Sequence, residues 1–98
     1  MTDVERLTAI LEALANPLTR QFIEMVAMRP RSAKDLGETL DLVPTEIQRA
    51  GRILAKLGFI FERSRTVRYD YDPTGLREVA DWIARIESIR RNSPIDIE

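Results

Sequence analysis

Thr45, Gln48, Arg49, Arg52 and Lys56 recur at intervals of three and four in the stretch PTEIQRAGRILAK. On a helix, at about 100° per residue, Arg49, Arg52 and Lys56 fall within about 40° of Thr45, and Gln48 within about 60°. Ile47, Ala50, Gly51, Leu54 and Leu57 take the opposite half. The stripe is cationic and amide-bearing, and the face behind it is apolar. Arginine and glutamine carry paired donors and acceptors that match base edges in the major groove. Lys56, at the far end, suits a phosphate. Glu46 lies about 100° off the stripe and need not meet a phosphate. Arg63, Arg65 and Arg68 follow shortly after, where they can straddle a sugar-phosphate backbone beside the groove. Arg31 and Lys34, at the start of another short helical stretch, are further candidates for phosphate contacts. The competing reading is an ordinary solvated helix face. The turn and short helix before the stripe, and the arginine cluster after it, weigh toward double-stranded DNA.

The remaining inventory narrows the chemistry. Among the 98 residues there is no cysteine and no histidine. That removes disulfides, thiol nucleophiles, His-based acid–base work and the common zinc, copper and iron ligands. There is no Gly-rich phosphate loop, and Asp70, Asp72 and Asp81 are spread over strand and helix, where carboxylates are usually solvated or capping. Neither catalysis, nor a cofactor, nor a metal is expected. The net charge of −1 alone argues against nucleic acid, but Pro44–Tyr71 holds six bases against three acids while both flanks are acidic. A local basic patch is the footprint that matters. No apolar run approaches the ~20 residues of a membrane span, and MTDVERL lacks a signal-peptide layout. A cytoplasmic protein without membrane contact is expected. The length corresponds to one domain with a thin core.

The elements that must hold the stripe are legible. Thr2 and Glu5 have capping-box spacing, and Val4, Leu7, Ile10, Leu11 and Leu14 line one face of a first helix. Asn16-Pro17 opens a second, with Leu18, Phe22, Ile23 and Val26 inward, ending near Met28 ahead of Pro30. Ser32 caps a short third helix anchored by Leu36 and Leu40. Gly37 inside it means either a marginal helix or a very close neighbour. The fourth helix starts at Pro44, with Leu42 and Ile47 as a hydrophobic staple, or at Thr45 as a cap paired with Gln48. The first start is preferred, and Gly58 is the left-handed cap at the end. Phe59, Phe61, Val67, Tyr69 and Tyr71 alternate with Ile60, Glu62, Arg68 and Asp70, which spells two strands turned at Ser64-Arg65-Thr66. Asp72-Pro73-Thr74-Gly75 opens a last helix whose Leu76, Val79, Trp82, Ile83, Ile86 and Ile89 share one broad face. The fold class is mainly α with a small β-hairpin, a winged helix-turn-helix with additional N- and C-terminal helices. The domain is expected to span residues 1–91, with 92–98 as a flexible tail.

Leu14 to Tyr71 resembles the arsenic-repressor (ArsR-type) winged-helix transcriptional regulators. "ALANPLTRQFIEMV" is similar to that family's "ALADPTRLRIL". "SAKDLGETLDLVPTEIQRAGRILAKLGFI" is similar, without a gap, to its "SVSELAEALGLSQSTVSRHLKVLREAGLV". "ERSRTVRYDYD" looks like its wing. The resemblance implies a homodimeric DNA-binding repressor with first and last helices at the dimer interface. It places the DNA readers at Thr45, Gln48 and Arg49 and wing contacts at Arg63, Arg65 and Arg68. Four positions depart from the pattern. Val43 stands for a capping serine, Pro44 and Glu46 for neutral polar residues, and Gly51 for a core leucine, which weakens packing or admits a bulky neighbour. The Cys pairs and Asp/His clusters of the family's metal sensors are absent, so metal sensing through thiols or imidazoles is not expected.

The last helix carries an apolar arc wider than one small core needs. An isologous dimer would cover Leu7, Leu11, Leu76, Val79, Trp82, Ile83 and Ile86 together. The rival to a DNA-binding regulator is a winged-helix docking module that binds protein instead. The sequence specifies neither an operator nor an effector.

Overall fold

The computed structural model describes residues 2–63 and 68–93. Five helices and three short strands follow one another: α1 (Asp3–Ala15), α2 (Pro17–Met28), β1 (Arg31–Ser32), α3 (Ala33–Leu40), α4 (Pro44–Lys56), β2 (Ile60–Arg63), β3 (Arg68–Tyr71) and α5 (Thr74–Asn92). This is the expected winged helix-turn-helix order, with one strand added before α3.

Local signals set most boundaries. The Thr2 hydroxyl accepts from Glu5 N–H at 3.1 Å, Asn16 Oδ1 from Leu18 N–H at 2.9 Å and the Ser32 hydroxyl from Asp35 N–H at 3.0 Å. Each satisfies a donor that the first turn leaves open. α4 begins at Pro44 with Val43 as an N-cap that makes no side-chain bond. Proline at the first position has no N–H to satisfy, and Glu46 N–H turns back to the Val43 carbonyl at 3.0 Å. The turn from α3 to α4 closes through Asp41, which is left-handed at φ 56°, a conformation aspartate tolerates. Leu42 N–H then returns to the Gly37 carbonyl at 3.0 Å. A β-carbon at position 37 would lie 2.7 Å from the Leu42 carbonyl oxygen, so Gly37 answers to close packing rather than to a marginal helix. Gly58, at φ 80°, ends α4 as expected.

The sheet is antiparallel in the order β1-β3-β2, pairing Arg31 with Tyr69 and Ile60 with Tyr71. The core lies between the sheet and α1–α4, built on Ile10, Phe22, Val26, Leu36, Ile47, Leu54, Phe59, Ile60 and Tyr69. Three expectations change. Phe61 is 55% exposed while Ile60 is buried, because the register puts Ile60 and Glu62 on the face shared with Tyr71 and Tyr69. Leu18 stays exposed and Met25 is buried instead. Arg31 is buried, its Nε donating to the Met25 carbonyl at 3.0 Å and its Nη1 to Asp35 at 3.3 Å. It fastens α2 to α3 and is not a phosphate contact. α5 runs through Asn92. The turn at Ser64-Arg65-Thr66, the strand position of Val67 and most of the 92–98 tail lie outside the described residues.

Candidate nucleic-acid interface

α4 stands with one side in the core and the other in solvent. Ile47, Gly51 and Leu54 are buried on it; Thr45, Gln48, Arg49, Arg52 and Lys56 are all exposed. The stripe read from spacing is therefore one continuous surface. Among the described residues, Arg49, Arg52 and Lys56 take part in no ion pair, and their charge faces outward unneutralised. Glu46 is exposed beside Arg49, and both rim a shallow groove floored by Leu42, Ala50 and Leu54. Ile53 is exposed on the same helix, so the outward half is less uniformly polar than the spacing implied.

The β2–β3 hairpin packs on α4 through β2. Arg63 and Arg68 face each other across β2 and β3, and both are exposed. Arg63 Nη2 donates to Asp70 Oδ2 at 2.9 Å, so its charge is partly spent within the hairpin, and Arg68 is the freer of the two. Arg65 lies outside the described residues. Lys34 is exposed in the first turn of α3, as a phosphate contact requires.

Wing and helix meet at a residue pair that spacing alone did not identify. Tyr69 is 1% exposed and stacks edge-on against Phe22 at 5.6 Å. A β-carbon on Gly51 would lie 2.7 Å from Tyr69 Cε1. The glycine in place of a core leucine thus admits a bulky neighbour, and that neighbour is Tyr69. Among the described residues the phenol has no hydrogen-bond partner. Burial raises its pKa above the usual 10.0, the charge of Glu62 raises it further, and that of Arg52 pulls it down. The mid-helix glycine was the available sequence signal; its partner could not be named without the fold.

At the other end of the molecule, α1 packs on α5. Leu76 and Val79 are half-buried against the monomer core, and Leu7 is half-buried. Leu11 is exposed, and Trp82, Ile83, Ile86 and Ile89 are 37, 45, 49 and 61% exposed. Of the seven expected dimer residues, Leu76 and Val79 thus serve the monomer core in part, and the rest leave an apolar face open. A groove of about 500 Å³ runs between the two helices, lined by Leu7, Leu11 and Trp82 and edged by Asp3, Asp81 and Arg85. Arg6 crosses from this end to α4. Its Nε donates to Glu78 Oε1 at 2.7 Å, and its Nη2 and Nη1 to the carbonyls of Leu57 at 3.1 Å and Lys56 at 3.4 Å. Nothing in the sequence pattern singled out this link.

No family model matches the chain. No curated protein matches it either. Solved structures do, and they define the class of fold as a winged helix-turn-helix. An ArsR family transcriptional regulator superposes with a TM-score of 0.78 at 20% identity, covering 92% of this chain and 95% of the other. An ArsR-like transcriptional regulator from Rhodococcus sp. gives 0.75 at 23% identity, covering 93% and 89%. A homodimeric winged helix-turn-helix DNA-binding domain from Mycobacterium bovis, a possible ArsR-family regulator, gives 0.64 at 15% identity, covering 97% and 87%.

Proposed function

We propose that the protein is a sequence-specific double-stranded DNA-binding transcriptional regulator acting as a homodimeric repressor. The observation that carries this reading is the α4 stripe. Thr45, Gln48, Arg49, Arg52 and Lys56 are exposed together on a helix whose other face is in the core, and Arg63 and Arg68 are exposed on the hairpin packed against that helix. Thr45, Gln48, Arg49 and Arg52 read base edges from the major groove. Lys56, Arg63, Arg65 and Arg68 hold phosphates. The open apolar face of α1 and α5 pairs with its copy through Leu7, Leu11, Leu76, Val79, Trp82, Ile83 and Ile86, and the two-fold axis asks for an inverted repeat. Its half-sites lie about one helical turn, ~10 bp, apart or a multiple of it. Repression then follows from occupying a promoter. The protein is not an enzyme, works without thiol- or imidazole-based metal sensing, and resides in the cytoplasm. No helix of the described residues is long and apolar enough to cross a membrane. The fold relatives described as transcriptional regulators support this reading.

Selection of bound fragments from a random or genomic duplex pool tests it. The expected result is an inverted repeat whose affinity falls with salt at a slope of about −0.9 per neutralised phosphate. Failure to enrich any sequence, together with salt-insensitive association, overturns it in favour of a protein-docking module.

A further inference from the structure

We propose that Gly51 of α4 and Tyr69 of β3 form a positioning pair that sets the wing's arginines at a fixed reach from those of α4. The functional half of this inference rests on the DNA-binding reading; the geometric half does not.

The contact is tight and specific. A β-carbon at position 51 would lie 2.7 Å from Cε1, 3.1 Å from Cζ and 3.2 Å from the hydroxyl oxygen of Tyr69. Any side chain there must push the ring away. Glycine weakens a helix interior, and here it sits mid-way along the helix that carries the stripe. The space it frees is filled by a ring that is almost wholly buried and braced from behind by Phe22. Tyr69 lies on β3, the central strand, paired with Arg31 on one side and Glu62 on the other. Its chain neighbour Arg68 points outward, and Arg68 is registered with Arg63. Moving the ring therefore moves both wing arginines relative to α4. Arg31, opposite Tyr69, is itself fixed to the Met25 carbonyl and Asp35, so the strand cannot yield toward β1 without breaking those bonds. The ring must give way toward β2 and the tip.

Among the described residues the buried hydroxyl has no partner. An orphaned polar atom weighs against the fold, and phenylalanine would fill the same space without it. The ring volume, not the hydroxyl, does the positioning.

The chain has no native cysteine, so a spin-label pair is introduced cleanly as Glu46→Cys on α4 and Phe61→Cys on β2. Double electron–electron resonance on the labelled protein is expected to give one narrow distance. Gly51→Ala should lengthen or broaden it, and Tyr69→Leu in the same chain should restore it by making room for the methyl group. Tyr69→Phe should leave it unchanged. In parallel, binding to a mixed-sequence 30-bp duplex is followed against salt in unlabelled protein. Gly51→Ala should flatten the slope by about 0.9 for each phosphate that the wing no longer neutralises, with recovery in the double variant. If Gly51→Ala does not fold, Tyr69→Leu alone, which empties the space beside Gly51, should broaden the distance. Unchanged distances in both single variants, or a change in Tyr69→Phe equal to that in Gly51→Ala, overturns the pair. Absence of duplex binding by the unsubstituted protein sinks the DNA reading separately, and the distances then decide the geometry alone.

Discussion

α4 and α5 are both amphipathic by sequence, yet they end in opposite situations. α4 buries Ile47 and Leu54 within the chain, leaves Ile53 exposed, and shows solvent a stripe of cations. α5 spends only Leu76 and Val79 in this way and leaves Trp82, Ile83, Ile86 and Ile89 open. On the function proposed above, the first is a surface for a polar, charged partner. The second leaves exposed apolar area on a helix, which is stabilised by being covered, and on the same proposal a second copy covers it. A helix's hydrophobic face thus identifies core only when something in the same chain is left to meet it. Arg6 joins the two regions by binding Glu78 of α5 and the last carbonyls of α4 together.

Breaking the open face should have the largest effect. Ile83→Glu places a charge in the proposed dimer face. It should give a monomer by size-exclusion with light scattering at micromolar concentration. Duplex affinity should fall by roughly 100-fold or more as bivalent binding is lost. A variant that stays dimeric, or a parent that is monomeric, ends the contrast between the two helices.

Arg49→Ala addresses the α4 surface and should cost roughly 1–3 kcal/mol on the selected site while relaxing preference at one base position. Equal affinity measured by fluorescence anisotropy would remove Arg49 from the readers. Arg6→Ala tests the link between the regions. Losing its charge-assisted bonds should lower stability by about 1–2 kcal/mol in urea unfolding, with the weaker figure favoured because the pair is partly exposed. Lys56→Ala should weaken binding uniformly across sequences and reduce the salt slope by about 1.

The smallest effect concerns pH. The folded protein holds the Tyr69 phenol protonated above its ordinary 10.0, chiefly through burial. The unfolded chain ionises first, so stability is complete below pH 10 and declines as pH climbs from there through the folded value. Tyr69→Phe should remove that part of the alkaline decline; thermal melts at pH 9 and pH 11 that shift equally in both proteins would contradict it.

Helix ends, the turn into α4 and the outward stripe were legible in the sequence because each follows from local rules. A capping hydroxyl, a proline without an N–H and a period near 3.6 residues act within a few positions along the chain. Phe61, Leu18 and Arg31 were misread because their fates depend on partners far away in sequence. Strand register decides which of two adjacent aromatic and aliphatic residues turns inward, and a carbonyl at Met25 turns an arginine from surface to interior.

By itself, the chain of residue types determined the order of elements, the cationic face of α4 and the absence of thiol and imidazole chemistry. Tertiary structure alone decided that Gly51 exists to seat Tyr69, that β1 completes the sheet and that Arg6 ties α1, α4 and α5 together. The reason is physical: helix caps and periodicity are interactions between near neighbours. Close packing is an agreement between surfaces that no single segment contains.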